Sequence, residues 1–185
     1  MTELIILGKM IRDFRVKTQD NISTRFAITQ KLLLLSEKWI FMNLSLALLM
    51  SVPAINIYTH GTHITVAHAM GTTIGINTVI LLASVFCIFD ALLFKFKPNC
   101  FKSIQHGINA FHISLIVFWV SLISAGLIKG VLTHHSDMNF SAIMEMLVPF
   151  FIVFFIAGLA LLFAFLVIAT PVITVALRHF RGQKA

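Results

Sequence analysis

Four stretches of apolar residues dominate the chain, and each is about as long as a membrane-spanning helix needs to be. They cover residues 39–56, 63–94, 108–132 and 141–177. An α-helix rises 1.5 Å per residue, so roughly 20 apolar residues cross the ~30 Å hydrocarbon core of a bilayer. Composition agrees, because 58% of the residues are hydrophobic and only 11% are charged. The sequence therefore predicts an all-α polytopic membrane protein whose four transmembrane helices form a single membrane domain, residues 1–185.

The segment before these stretches is polar and basic. We expect residues 1–35 to include a short amphipathic helix on the cytoplasmic surface of the membrane, although the first spanning helix could start as early as Phe26. Residues 4–7 are too short an apolar run for the core of a signal peptide, and Lys9 and Arg12 follow them. The first spanning helix should therefore insert without cleavage.

The basic residues are distributed on one side of the predicted membrane topology. Thirteen of the 14 lysines and arginines lie in residues 9–38, 95–102 and 178–184, and the exception is Lys129. This is the positive-inside pattern, which predicts that those segments and both termini lie in the cytoplasm. The net charge of +7 is thus explained by membrane topology, and no nucleic-acid partner is expected.

Side chains that can ligate metals are concentrated at the start of the second apolar stretch, which reads NIYTHGTHITVAHAMGTTIG over residues 56–75. His60, His63, His68 and Met70 fall within eleven positions. Imidazole and thioether are the axial haem ligands of many cytochromes. His68 and Met70 are two residues apart, about 200° around a helix. Their side chains would point to opposite faces of the helix, so they could bind two different iron ions but could not share one.

Structural roles remain open for the same residues. A histidine in a membrane helix can simply be hydrogen-bonded, and a methionine on an apolar helix is usually packing. Gly71 and Gly75 would let either a flat macrocycle or another helix approach closely. Thr62 could act only as the N-cap of the second helix.

The motif formed by residues 58–62, Thr65 and His68-Ala-Met70 resembles the tenth helix of the catalytic subunit of respiratory nitric oxide reductases, members of the haem-copper oxidase superfamily. The resemblance is specific over residues 56–77 and weak over residues 36–175. It implies that the four helices correspond to the last helices of a subunit I-like bundle.

The resemblance also implies cofactors. His68 matches the axial ligand of the high-spin haem b. Met70 stands where the family has the histidine that binds the low-spin haem b. This implies either a low-spin haem with His and Met ligands or no low-spin haem. His63 is an alternative ligand of this haem, but its position on the helix is the poorer geometric match. His60 and Thr62 are expected beside the haem propionates.

The implied function is the reduction of NO to N2O, carried out only together with another membrane chain. That partner would supply the remaining helices and the ligands of the non-haem iron, and a cytochrome or quinol would donate electrons. Two alternatives stay open: an oxygen-reducing relative in the same superfamily, and a non-catalytic membrane subunit of a respiratory complex.

Several further groups receive structural predictions. Asp90 is expected to pair with lysines at the cytoplasmic end of the second helix, and Lys129 to reach water or a carboxylate. The other histidines are predicted to be structural or solvated; they are His106, His112, His134 and His135. Neither Cys87 nor Cys100 is expected to form a disulfide or metal site.

Overall fold

The protein is described by a computed structural model covering residues 26–91, 98–136 and 138–182. These residues are helical apart from short turns, and no strand occurs among them. The helices are α1 (Ala27–Ser51), α2 (Pro53–Thr59), α3 (His63–Met70), a π-helical segment (Gly71–Thr78), α4 (Val79–Ala91), α5 (Pro98–His135) and α6 (Phe140–Gly182).

Four helices are long and apolar enough to cross a membrane. They are Ala27–Ser51, His63–Ala91, Asn99–His135 and Phe140–Arg178. The second of these, called the second span below, is continuous through α3, the π-helical segment and α4. The prediction of an all-α polytopic membrane protein is confirmed.

The first long helix begins well before the predicted span. Of the two starts that the sequence left open, the structure has the earlier one, near Phe26, because residues 27–35 belong to α1 and not to a surface segment. Ile28, Leu32 and Leu35 recur at helical spacing and are buried, which gives this part of α1 an apolar face to pack. Charged residues on its other faces lower the local hydropathy, which is why the apolar-run criterion missed it. Residues 1–25 of the predicted amphipathic segment lie outside the described residues.

Pro53 ends the first span, as the sequence indicates, but earlier than the predicted boundary at residue 56. Val52 is extended, with φ −75° and ψ 120°, and Pro53 starts α2. A residue before proline avoids helical geometry, while proline itself suits the first position of a helix. Residues 53–59 therefore form a separate short helix and not the end of α1.

The third span also starts earlier than predicted. The sequence predicts its start at residue 108, but α5 already begins at Pro98, a residue that is favoured in the first turn of a helix. At its other end α5 continues through His135, so the link to α6 is shorter than predicted. Asn139 caps α6, where its side-chain oxygen accepts a hydrogen bond from the Ala142 amide at 2.9 Å.

The helices pack around one apolar core. α5 and α6 pair along their length, α3 contacts α5, and α1 contacts α4 and the π-helical segment. Trp39, Phe86 and Leu115 are among the fully buried core side chains. Phe163 of α6 is 70% exposed, and many other large apolar side chains are exposed too. Such a surface suits lipid or another membrane chain, not water.

Candidate functional site

The turn that enters the second span is built by Gly61 and Thr62. Gly61 has φ +70°, a left-handed conformation that glycine adopts without strain. The Thr62 hydroxyl accepts a hydrogen bond from the Ile64 amide at 3.3 Å and donates one to the Thr59 carbonyl at 2.7 Å. Thr62 is therefore the N-cap of α3. Its one hydroxyl proton is already used, so a bond to a propionate would require it to release Thr59.

His60 lies just before this turn and is exposed. Its backbone amide donates to the Asn56 carbonyl at 2.8 Å and ends α2. The side chain is thus held at the end of the bundle where the second span begins. That location is compatible with its predicted place beside a haem propionate, but none of the described residues makes a hydrogen bond that fixes the ring there.

His68 and Met70 lie on the same α-helical segment, α3, so the rotation expected between them applies. The buried stripe of this helix runs through Ile64, Ala67 and Gly71. His68 and Met70 are both partly buried, and they flank this stripe on its two sides. The two side chains therefore diverge, and one ion cannot be shared between them.

The environments of the two side chains differ. Met70 packs against the central apolar core. The Nδ1 atom of His68 is buried without a hydrogen-bond partner among the described residues. A buried polar atom normally finds a partner, so His68 has an unused ring atom. Nε2 of His63 and Nδ1 of His112 are also buried without partners among the described residues, so this feature alone does not distinguish His68. Met70 alone is adequately explained by packing.

Gly71 and Gly75 are covered by side chains of the first span, and the surface over them is called the glycine groove below. A Cβ added at Gly75 would lie 2.6 Å from Cδ2 of Trp39, and one added at Gly71 would lie 2.6 Å from Oδ1 of Asn43. The sequence left open whether a macrocycle or a helix approaches these glycines. Within this chain, α1 occupies the glycine groove.

A chain of hydrogen bonds links α1 to the backbone of His68. The Asn43 amide donates to the Thr72 hydroxyl at 2.6 Å, and this hydroxyl donates to the His68 carbonyl at 3.2 Å. Thr72 belongs to the π-helical segment, a wide helical geometry that is rare and frequent at functional sites. Sequence analysis did not single out this network. Asn43, the one asparagine in the charge-free part of the first span, could have indicated the network. Polar side chains in membrane helices often form hydrogen bonds to neighbouring helices.

Aromatic rings surround the same network. Trp39 makes edge-to-face contacts with Trp119 and His112, with ring centroids 5.8 Å and 6.1 Å away. The indole N–H groups of both tryptophans and Oδ1 of Asn43 are buried without partners in the described part of the chain. Unpaired polar atoms are costly in an apolar core. This region therefore has hydrogen-bonding capacity that the described helices leave unused.

The opposite side of the entry turn is tied to α5. The Tyr58 hydroxyl lies 3.0 Å from Nε2 of His135, and Nε2 of His134 donates to the Ile57 carbonyl at 2.7 Å. Both histidines are exposed, yet they bind the entry segment and are not merely solvated. The Lys129 ammonium donates to the Gly61 carbonyl at 3.3 Å. Its partner is thus a carbonyl and not the carboxylate that was considered.

The remaining candidates are distributed over the bundle. The His63 ring packs edge-to-face on Phe151 of α6, 5.0 Å between centroids, and so faces a different helix from the network around Asn43. His106, which is exposed, lies with Nδ1 2.7 Å from the Lys102 carbonyl. Asp90 accepts a hydrogen bond from Thr29 at 3.3 Å. The two lysines predicted to pair with Asp90, at positions 95 and 97, lie outside the described residues.

Metal-binding capacity is limited to single side chains. Across residues 26–91, 98–136 and 138–182, no three histidine, cysteine or carboxylate side chains are grouped closely enough to hold a metal ion. Cys87 and Cys100 are free thiols. Any metal held by the described residues would have to receive most of its ligands from a cofactor or from another chain.

Comparisons with protein-family models, with curated proteins and with solved structures find no match to this chain.

Proposed function

We propose that this chain is a haem-binding membrane subunit of a nitric oxide reductase and that it works with a second membrane chain. The observation that carries the proposal is His68, which follows the Tyr-Thr-His-Gly-Thr entry and keeps an unpartnered, buried ring nitrogen. Reduction of two NO molecules with two electrons and two protons yields N2O and water.

Haem suits the side chains available better than a free metal ion does. A porphyrin supplies four ligands to its iron, so the protein needs to add only one or two axial side chains. An isolated His68, with Met70 on the other flank of the helix, fits this requirement. The glycine groove is not available to a macrocycle because Trp39 and Asn43 fill it.

The chain's own residues would hold and insulate the group. In the proposal His68 is the axial ligand of a high-spin haem b and Met70 that of a low-spin haem b. Asn43 and Thr72 fix the backbone that carries His68. When bound, the haem would supply the redox-active iron at which NO is reduced. His60 is proposed to donate a hydrogen bond to a propionate at the polar edge, and Thr62 to do so only if its cap rearranges.

The proposal requires a partner. The described residues offer no cluster for the non-haem iron, so its ligands are assigned to the second chain. A cytochrome or quinol would supply electrons. Both termini are proposed to lie in the cytoplasm of a bacterium, with the four helices in its inner membrane.

One observation favours a different function, that of a non-catalytic membrane subunit. The glycine groove packs α1 against the second span, a role that needs no cofactor. Haem titration distinguishes the two functions. We expect the chain, purified with its partner, to bind haem b with optical bands that disappear from a preparation lacking this chain. A complex with full haem content in the absence of this chain would exclude the haem-binding function.

Met70 gives a separate prediction. A thioether ligand favours reduced iron relative to imidazole, so we expect Met70→His to lower the midpoint potential of the low-spin haem while the haem stays bound. Redox titration of the purified complex measures this. Met42→His is a matched control, because Met42 also packs against the core but lies on α1. An unchanged potential and spectrum in Met70→His would identify Met70 as packing.

A further inference from the structure

A polar cavity opens between α1 and α5, away from the entry turn. Its volume is about 520 Å³. Its polar lining consists of Gln30, Lys31, Lys38, Asn109 and His112. Among the described residues, none of the side chains lining this cavity is acidic. Glu37 precedes Lys38 in the chain but does not line the cavity.

The two lysines are not neutralised by the described part of the chain. Lys31 is partly buried and Lys38 is exposed, and neither has a carboxylate partner there. Lys38 of α1 and His112 of α5 line the same cavity. Lysines near the membrane surface attract anionic groups, and each contributes about 1 kcal/mol to the attraction, which corresponds to about fivefold in affinity. The cavity therefore calls for an anionic occupant.

The depth of the cavity matches the headgroup region of one membrane leaflet. α1 carries no lysine, arginine or carboxylate over residues 39–51, and α5 carries none over residues 103–128. The cavity lies where the first of these charge-free stretches begins and near the start of the second. As first and third spans, α1 and α5 both start on the same side of the bilayer. The two lysines therefore lie where phosphates of phospholipids are found.

The walls of the cavity add an apolar component. Leu34 and Leu35 of α1 and Ile108 of α5 line it beside the polar groups. A polar, cationic end joined to an apolar wall fits an amphiphile better than it fits a small inorganic anion. Basic pockets between transmembrane helices are a known setting for acidic lipid headgroups.

We propose that this cavity is a binding site for an anionic phospholipid, whose phosphate contacts Lys31 and Lys38 and whose acyl chain lies along Leu34, Leu35 and Ile108. The site is independent of haem and of the entry motif. It lies on the face of α1 that carries Lys31 and Lys38, whereas Trp39 and Asn43 of the same helix cover the glycine groove.

Photolabelling of the full chain, assembled with its partner, tests this site. The probes are phosphatidylglycerol and phosphatidylcholine carrying the same photoreactive acyl chain, each added to phosphatidylcholine vesicles. We expect phosphatidylglycerol to label peptides containing residues 27–38 and 105–112 in preference to phosphatidylcholine. Lys31→Gln or Lys38→Gln should each reduce this preference by about fivefold. The control Lys102→Gln removes an exposed charge from α5 outside the cavity and should leave the preference unchanged.

Other outcomes overturn the proposal. Equal labelling by the two lipids would show that the headgroup charge is not recognised. Loss of labelling in excess inorganic phosphate would identify a phosphate site and not a lipid site. Selective labelling of the isolated chain that disappears in the assembled complex would assign the cavity to an acidic surface of the partner. Lys31→Arg and Lys38→Arg keep the positive charge and must keep the preference for phosphatidylglycerol. Their behaviour separates loss of charge recognition in the glutamine variants from misfolding.

Discussion

Replacing His68 with alanine is expected to abolish the high-spin haem signal and NO turnover of the assembled complex. The reason is that the described residues offer no second imidazole on the same flank of α3 that could replace it as the axial ligand. The optical spectrum of the reduced complex and the rate of NO consumption measure the effect. Retention of both by His68→Ala would refute the assignment of the haem ligand.

The fold itself should tolerate this substitution, which makes the result interpretable. The ring of His68 makes no side-chain hydrogen bond to the described residues, and its Nδ1 is buried unpaired. A buried polar atom without a partner costs about 1–3 kcal/mol, so truncation removes a cost as well as packing. His106→Ala is a matched control, because that histidine is exposed and lies on α5 near its start. We expect its haem content and turnover to equal those of the natural chain.

Gly75→Ala is expected to destabilise the bundle, although alanine is the better helix former. The added Cβ would lie 2.6 Å from Cδ2 of Trp39, and Trp39 is 0% exposed, so its ring has nowhere to move. Overpacking of a well-packed core costs about 1–3 kcal/mol, and the roughly 1 kcal/mol gained in helix propensity offsets part of this, so the net loss of stability is up to about 2 kcal/mol. Thermal unfolding in detergent, followed by circular dichroism, measures the net change.

Gly158→Ala on α6 is the matched control for this substitution. Its added Cβ would meet Phe118 at 3.6 Å, an ordinary contact, so stability should be unchanged or slightly higher. Trp39→Leu in the Gly75→Ala background should recover part of the lost stability by removing the clash. If Gly75→Ala and Gly158→Ala unfolded at the same temperature, the close approach of α1 to the second span would be wrong.

Part of the architecture was predictable because it depends on local pattern. Long charge-poor runs determine that four helices can cross a membrane, whatever their arrangement. Thr62 before an apolar helix was a recognisable N-cap, and the Val52-Pro53 pair a recognisable break. The early start of α1 was predicted only as an alternative, because Lys31, Glu37 and Lys38 reduce the apolar content of a helix that buries only one face.

The candidate site also has features that the local sequence predicts and features that depend on contacts between distant residues. The divergence of His68 and Met70 follows from helical rotation alone, since both lie on α3. Whether either binds haem stays a prediction, because no metal or cofactor can be read from the pattern of one chain. The π-helical segment and the network from Asn43 through Thr72 were not predicted, since their bonding depends on a residue 29 positions away.

By itself, the sequence determined that the chain is helical, that it is apolar enough for a membrane and that three of its eight histidines lie close together around the start of the second span. Only the tertiary structure decided what the glycines face, where the Lys129 ammonium binds and how Lys31, Lys38 and His112 come to share a cavity. The physical reason is that hydropathy and helical periodicity depend on neighbours along the chain. Packing contacts depend instead on which faces of distant helices meet, and side-chain shapes such as the Trp39 ring on Gly75 select those faces.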